Sequence, residues 1–146
     1  MSVVLGVFAA AFLAATILPF SSEVVVSAAI LSGSSALAVW LAASVGNTLG
    51  AVANGILGAA LTTKAARRWL GVGESQYERA TRWYGKWGVW SLLLAWMPVV
   101  GDALTVVAGA LHVRWWFFVT LVFIGKSGRY ALLIFVLERV SPQGGG

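Results

Sequence analysis

Four ionisable side chains stand where water should not reach. Glu23, Asp102, Lys126 and Arg129 each interrupt an apolar stretch long enough to enter a bilayer. A charge at membrane depth costs about 2.5 to 3.5 kcal/mol even on lenient insertion scales, so such groups usually pair and mark ion or substrate paths. The two acids share a pattern: each lies four positions after a proline, Pro19 and Pro98, and they are 79 residues apart. The two cations are at i and i+3, hence on one face of a helix. Together the set sums to zero charge. Two chemistries fit it: a desolvated carboxylate that exchanges protons, and a cation that holds an anion, arginine matching a phosphate by its forked geometry. A purely structural set of ion pairs would use the same residues. Other chemistries find little support, since the chain has no cysteine and one histidine, His112. With no metal-ligand cluster, serine-histidine set or nucleotide loop, neither a metal, a cofactor nor enzymatic activity is expected.

The elements that must position these groups are membrane segments. Of the 146 residues 60% are hydrophobic and 10% charged, with a mean hydropathy of +0.88, well outside soluble-domain composition. An all-α polytopic membrane protein follows, with one membrane domain over residues 1–140 and a polar, glycine-rich tail, 141–146, expected to be disordered. No basic segment precedes the first apolar stretch, which is expected to stay in the mature protein. Four apolar units are visible. Ala36–Leu61 and Trp115–Leu137 are long enough to span a hydrocarbon core of about 30 Å. Val3–Leu31 and Gly88–Leu111 are each interrupted by a proline-acid pattern, with Gly101 beside the second acid. A proline followed by an acid fits either a kinked spanning helix or a re-entrant hairpin. The flanks Val89–Met97 and Ala103–Leu111 would each cover about 14 Å as helix, half a bilayer, which favours hairpins.

Between the halves, six of the ten basic residues (Lys64, Arg67, Arg68, Arg79, Arg82 and Lys86) crowd into 23 positions. Such a loop belongs on the cytoplasmic side. A nucleic-acid partner is not expected there. Within it, Glu74–Trp87 reads as a short amphipathic surface helix, with a Glu78/Arg82 pair and with Tyr77, Trp83, Tyr84 and Trp87 suited to the headgroup level.

Shifting the chain by 79 residues aligns Pro19 with Pro98, Glu23 with Asp102, and Gly46-Asn47-Thr48 with Gly125-Lys126-Ser127. The implied architecture is an inverted-topology pseudo-repeat: repeat 1 over 1–62, a linker over 63–87, and repeat 2 over 88–140. Each repeat would be a Pro-broken hairpin followed by a spanning helix, as in secondary transporters with a midplane site. Gly46, Gly50, Asn54 and Gly58 form a small-residue stripe for close helix packing, which also leaves room for a homodimer.

These motifs carry a family likeness. Leu18-Pro19-Phe20-Ser21-Ser22-Glu23, Gly46-Asn47-Thr48-Leu49-Gly50, Trp96-Met97-Pro98-Val99-Val100-Gly101-Asp102 and Gly125-Lys126-Ser127-Gly128-Arg129-Tyr130 resemble the DedA (VTT-domain, SNARE-associated) membrane proteins, in their small YqaA-like branch. The resemblance implies a bacterial inner-membrane protein with two opposed re-entrant hairpins. It also implies lipid movement across the bilayer, coupled to the proton gradient. Better-studied members carry acids where this chain has Ala9 and Ser21, and arginines where it has Ala95 and Gly101. The expected proton and substrate site is therefore this chain's own set, Glu23, Asp102, Asn47, Lys126 and Arg129. Membrane lipids and protons are its expected partners. The alternative expectation is a membrane-organising or partner-binding protein that transports nothing and whose charges lock the hairpins together.

Overall fold

The computed structural model describes residues 1–16, 21–60, 73–97 and 100–141. Its regular elements are all helical: α1 (Ser2–Thr16), α2 (Ser22–Leu31), α3 (Ala36–Ala60), α4 (Glu74–Trp87), a 3₁₀ helix (Gly88–Trp96), α5 (Val100–Ala110) and α6 (Trp115–Val140). The expected breaks at Pro19 and Pro98 lie outside the described residues, as do Lys64, Arg67 and Arg68 of the linker and residues 142–146 of the tail.

Two helices are long and apolar enough to cross a membrane, α3 with 25 residues and α6 with 26. At 1.5 Å per residue each reaches about 38 Å. The others are shorter: α1 has 15 residues, α2 has 10 and α5 has 11, so none covers more than about 22 Å. The segment Gly88–Trp96 winds as a 3₁₀ helix of nine residues. Its rise of about 2.0 Å per residue stretches it to about 18 Å, beyond the roughly 14 Å expected of an α-helical arm. Gly88, at φ 61°, separates it from α4 in a conformation that glycine adopts without steric cost.

The two helix-to-helix junctions are built alike. After α2, Ser32 N–H bonds Ala28 O (3.0 Å), Gly33 bonds Ile30 O (3.0 Å) and Ser34 bonds Ala29 O (3.1 Å). After α5, Leu111 bonds Val107 O (2.9 Å), His112 bonds Gly109 O (3.0 Å) and Val113 bonds Ala108 O (3.1 Å). Every one of these atoms is matched 79 positions later, and so are the first bonds of the long helices, Val39 to Ser35 and Phe118 to Arg114. The left-handed residue of the turn is Gly33 (φ 86°) in one junction and His112 (φ 55°) in the other. Such a turn satisfies the last carbonyls of a helix.

Small side chains set the packing. The backbone of α1 runs against Gly46 and Gly50 of α3, where a Cβ would strike the carbonyls of Phe8 and Phe12. On the far part of α3, Gly58 meets the Val106 carbonyl of α5, and Gly109 of α5 meets the carbonyl of Gly55. Gly125 of α6 lies against Leu93 of the 3₁₀ helix. Close backbone approach is how helices associate where lipid offers no hydrophobic drive. The stripe Gly46, Gly50 and Gly58 is thus filled from within the chain.

Helix α4 forms at Glu74–Trp87, where the amphipathic pattern predicts it. One detail of that expectation changes. Arg82 makes no ion pair with Glu78 among the described residues, and both residues are exposed. Tyr77, Trp83 and Tyr84, partly buried, pack with buried Ala80 on Val100, Ala103, Leu104 and Val107 of α5. Trp87 is 57% exposed.

Candidate functional site

Both acids occupy the same position in their helices. Glu23 lies in the first turn of α2 and Asp102 in the first turn of α5. There the unpaired N–H groups and the helix dipole favour a negative charge. The Ser21 hydroxyl, next to the helix start, donates to Glu23 Oε2 at 3.3 Å. At the second helix start Gly101 is required by close contact, since a Cβ there would strike the backbone of Ala95.

The cations come from one turn of α6. Arg129 donates from Nε to Glu23 Oε1 at 2.8 Å and from Nη2 to the same oxygen. Its third nitrogen, Nη1, donates to the carbonyl of Trp96, at the end of the 3₁₀ helix, at 3.0 Å. The guanidinium therefore ties the start of α2 to the end of the 3₁₀ helix. This pair stays open, with side-chain exposures of 25% for Arg129 and 40% for Glu23.

Lys126 is in a different setting. Its side chain is only 5% exposed, and Nζ sits 3.4 Å from Asp102 Oδ1, whose own side chain is 34% exposed. A shorter bond runs from Nζ to Asn47 Oδ1. The Asn47 amide is itself oriented, because Nδ2 donates to the Ala11 carbonyl of α1 at 2.9 Å. One amide thus meets both its needs, a donor's and an acceptor's, and leaves the buried ammonium a permanent neutral partner. Asn47 and Lys126 are 79 residues apart, so two residues that the 79-residue shift aligns touch each other.

All five residues singled out by their chemistry, Glu23, Asn47, Asp102, Lys126 and Arg129, are thereby joined through α6. Asn54 is placed differently. Its Nδ2 donates to Ala15 O at 2.6 Å, while Oδ1 is buried without a partner, so it ties α1 to α3 two turns beyond Asn47. Two residues of the site escape sequence reasoning. The Tyr130 hydroxyl, in a ring 1% exposed, hydrogen-bonds Ser22 Oγ at 2.6 Å. It forms a second rung beside Arg129–Glu23, and the only clue is that Tyr130 and Ser22 adjoin the charged pair in sequence. Trp40 Nε1 donates to the Ser127 carbonyl at 2.9 Å, pinning the same turn of α6 to α3. From Lys126 to Tyr130, one helical turn reaches α2, α3, α5 and the 3₁₀ helix.

The bundle has two helices long and apolar enough to cross a membrane among the described residues, and the charges gather on the second of them. A model of the VTT domain matches residues 2–139, and the chain belongs to the VTT-domain (DedA) family. It is 41% identical over 126 residues to inner membrane protein YqaA of Escherichia coli (strain K12), across 86% of this chain and 84% of that protein. The same figures hold for inner membrane protein YqaA of Shigella flexneri. An uncharacterized protein of Haemophilus influenzae is 36% identical over 141 residues, across 88% of this chain and 83% of its own length. No solved structure matches the chain. With such relatives and two apolar spans, the chain is an inner-membrane protein.

Proposed function

We propose that this protein is a small transporter that moves a lipid or another anionic substrate across the bacterial inner membrane, coupled to protons. Its site is Glu23, Asp102, Asn47, Lys126 and Arg129, set near the midplane between two re-entrant hairpins. The observation that carries this reading is the convergence of two acids, one from each half, on two cations of a single turn of α6. Protonation of either acid would release a cation, and the released cation would bind the anion. Arg129 is the better phosphate ligand because its fork can hold two oxygens.

The inverted repeat belongs to the same proposal. It is supported by the turn hydrogen bonds that recur at a spacing of 79, and by short helices on either side of Pro19 and Pro98 that do not reach across a bilayer. Broken helices are tolerated at that depth where they are buried in protein or line a wet cavity. The basic linker 63–87 is placed in the cytoplasm by its charge.

One observation favours a second reading. Arg129 spends all three of its nitrogens on partners within the chain, as a static clamp between hairpins would. The two readings separate in cells lacking the chromosomal copy. Under the transport reading Glu23→Gln and Asp102→Asn lose complementing activity, and the exchange of Glu23→Arg with Arg129→Glu does not restore it. Restoration by the charge exchange would establish the clamp instead.

A further inference from the structure

Helix α4 turns its apolar side inward, and what it shows the outside is charge. Ala80, Trp83 and Tyr84 are spent on α5, so the helix cannot roll that side into lipid as a free amphipathic anchor does. On its outer side Arg79, Arg82 and Lys86 are all exposed. At 100° per residue they fall within about 60° of one another, with Glu74 and Glu78 on the other flank. None of the three basic groups has an acid partner among the described residues. Lys86 lies 5.5 Å over the ring of Trp87. Trp87 and Trp90 are themselves 57% and 65% exposed, which suits the boundary between headgroups and hydrocarbon.

We infer that the Arg79–Arg82–Lys86 stripe is a docking surface for anionic lipid headgroups of the leaflet beside it. Charge complementarity selects that occupant: a ridge of clustered cations cannot lie in hydrocarbon, the flanking tryptophans hold it at headgroup depth, and a leaflet rich in phosphate supplies the counter-charge. The surface is also joined to the charged site. Ala80 shares its packing cluster with Ala103, the residue after Asp102, so headgroups that hold α4 also hold the arm that carries the Asp102 carboxylate. This surface stands whether or not the chain transports anything.

The chain contains no cysteine, so a single label can be placed at will. Gly85 is exposed and has open space around it, which makes Gly85→Cys a mild site for a nitroxide. The labelled full-length protein is compared in nanodiscs of phosphatidylcholine with and without phosphatidylglycerol. We expect the nitroxide to slow when the anionic lipid is present, and the slowing to fade as salt is raised and screening shortens. The combined change Arg79→Gln, Arg82→Gln, Lys86→Gln removes the response, while its melting temperature in phosphatidylcholine alone stays at the parental value. An unchanged response in the triple variant, or none in the parent, overturns the inference. Slowing by inorganic phosphate or an oligonucleotide in phosphatidylcholine discs, without any by phosphatidylglycerol, also overturns it and assigns the surface elsewhere.

Discussion

The long helices α3 and α6 begin with the same turn and the same hydrogen bonds, and then diverge in chemistry. Where α3 has Asn47 and Gly50, α6 has Lys126 and Arg129 at the equivalent positions. The first half therefore supplies an amide and close packing, and the second half supplies the charge. The acids are not divided in this way. Each half contributes one, and both turn toward α6. The two long helices thus differ in role, α3 as cradle and α6 as the charged element.

The two cations then differ in how they are held. Lys126 is sealed, with Asn47 close and Asp102 looser, whereas Arg129 is open and held by Glu23 at two nitrogens. The sealed pair should dominate stability and the open pair should not. Asn47→Leu strips the buried ammonium of its nearest partner and removes the amide bond to the Ala11 carbonyl of α1. A loss of about 2 to 3 kcal/mol is expected in detergent unfolding, the range for a hydrogen bond to a buried charged group. A loss under 1 kcal/mol would mean that Asp102 alone holds Lys126.

Tyr130→Phe removes one buried hydroxyl bond and leaves Ser22 unmatched, at a cost of about 1 to 2 kcal/mol. Its unfolding should begin at α2, read as faster hydrogen exchange in residues 22–31 than in 100–110. Glu23→Gln falls lower, at about 1 kcal/mol, because the amide oxygen still accepts from Arg129 and Arg129 keeps the Trp96 carbonyl. It therefore tests activity with the fold intact. The smallest change compares the two junctions directly. His112→Gly gives the second turn the residue of the first, and relief of its left-handed backbone should leave stability level or raise it by about 1 kcal/mol. A marked loss would show that the imidazole has a task beyond the turn.

Much of this arrangement is legible in the sequence, for reasons that differ from residue to residue. Hydropathy marks α3 and α6 because each has the apolar length a span needs, α6 despite its two cations. Glu23 and Asp102 stand out because charge is rare there, and α4 shows its boundaries through a charged face with aromatics opposite. The inward packing of Tyr77, Trp83 and Tyr84 is not legible, since an aromatic ring suits a headgroup layer and a helix interface equally well. Neither is the 3₁₀ winding of Gly88–Trp96, an apolar run whose pattern does not separate it from an α-helical arm. The Tyr130–Ser22 bond joins positions 108 residues apart, beyond any local pattern. The meeting of Asn47 with Lys126 is half visible: the diagonal marks them as equivalent, but only the packing of α3 on α6 makes them partners.

The central claim is that the charges on α6, with an acid from each half, form a proton-coupled site for an anionic lipid. The most direct measurement reconstitutes the protein in vesicles carrying a fluorescent phospholipid, and follows movement between leaflets by chemical quenching, with and without an imposed pH gradient. The account predicts movement that accelerates with the gradient in the parent, and loss of that acceleration in Glu23→Gln and Asp102→Asn. Movement indifferent to the gradient in the parent, or full acceleration in both variants, would contradict it.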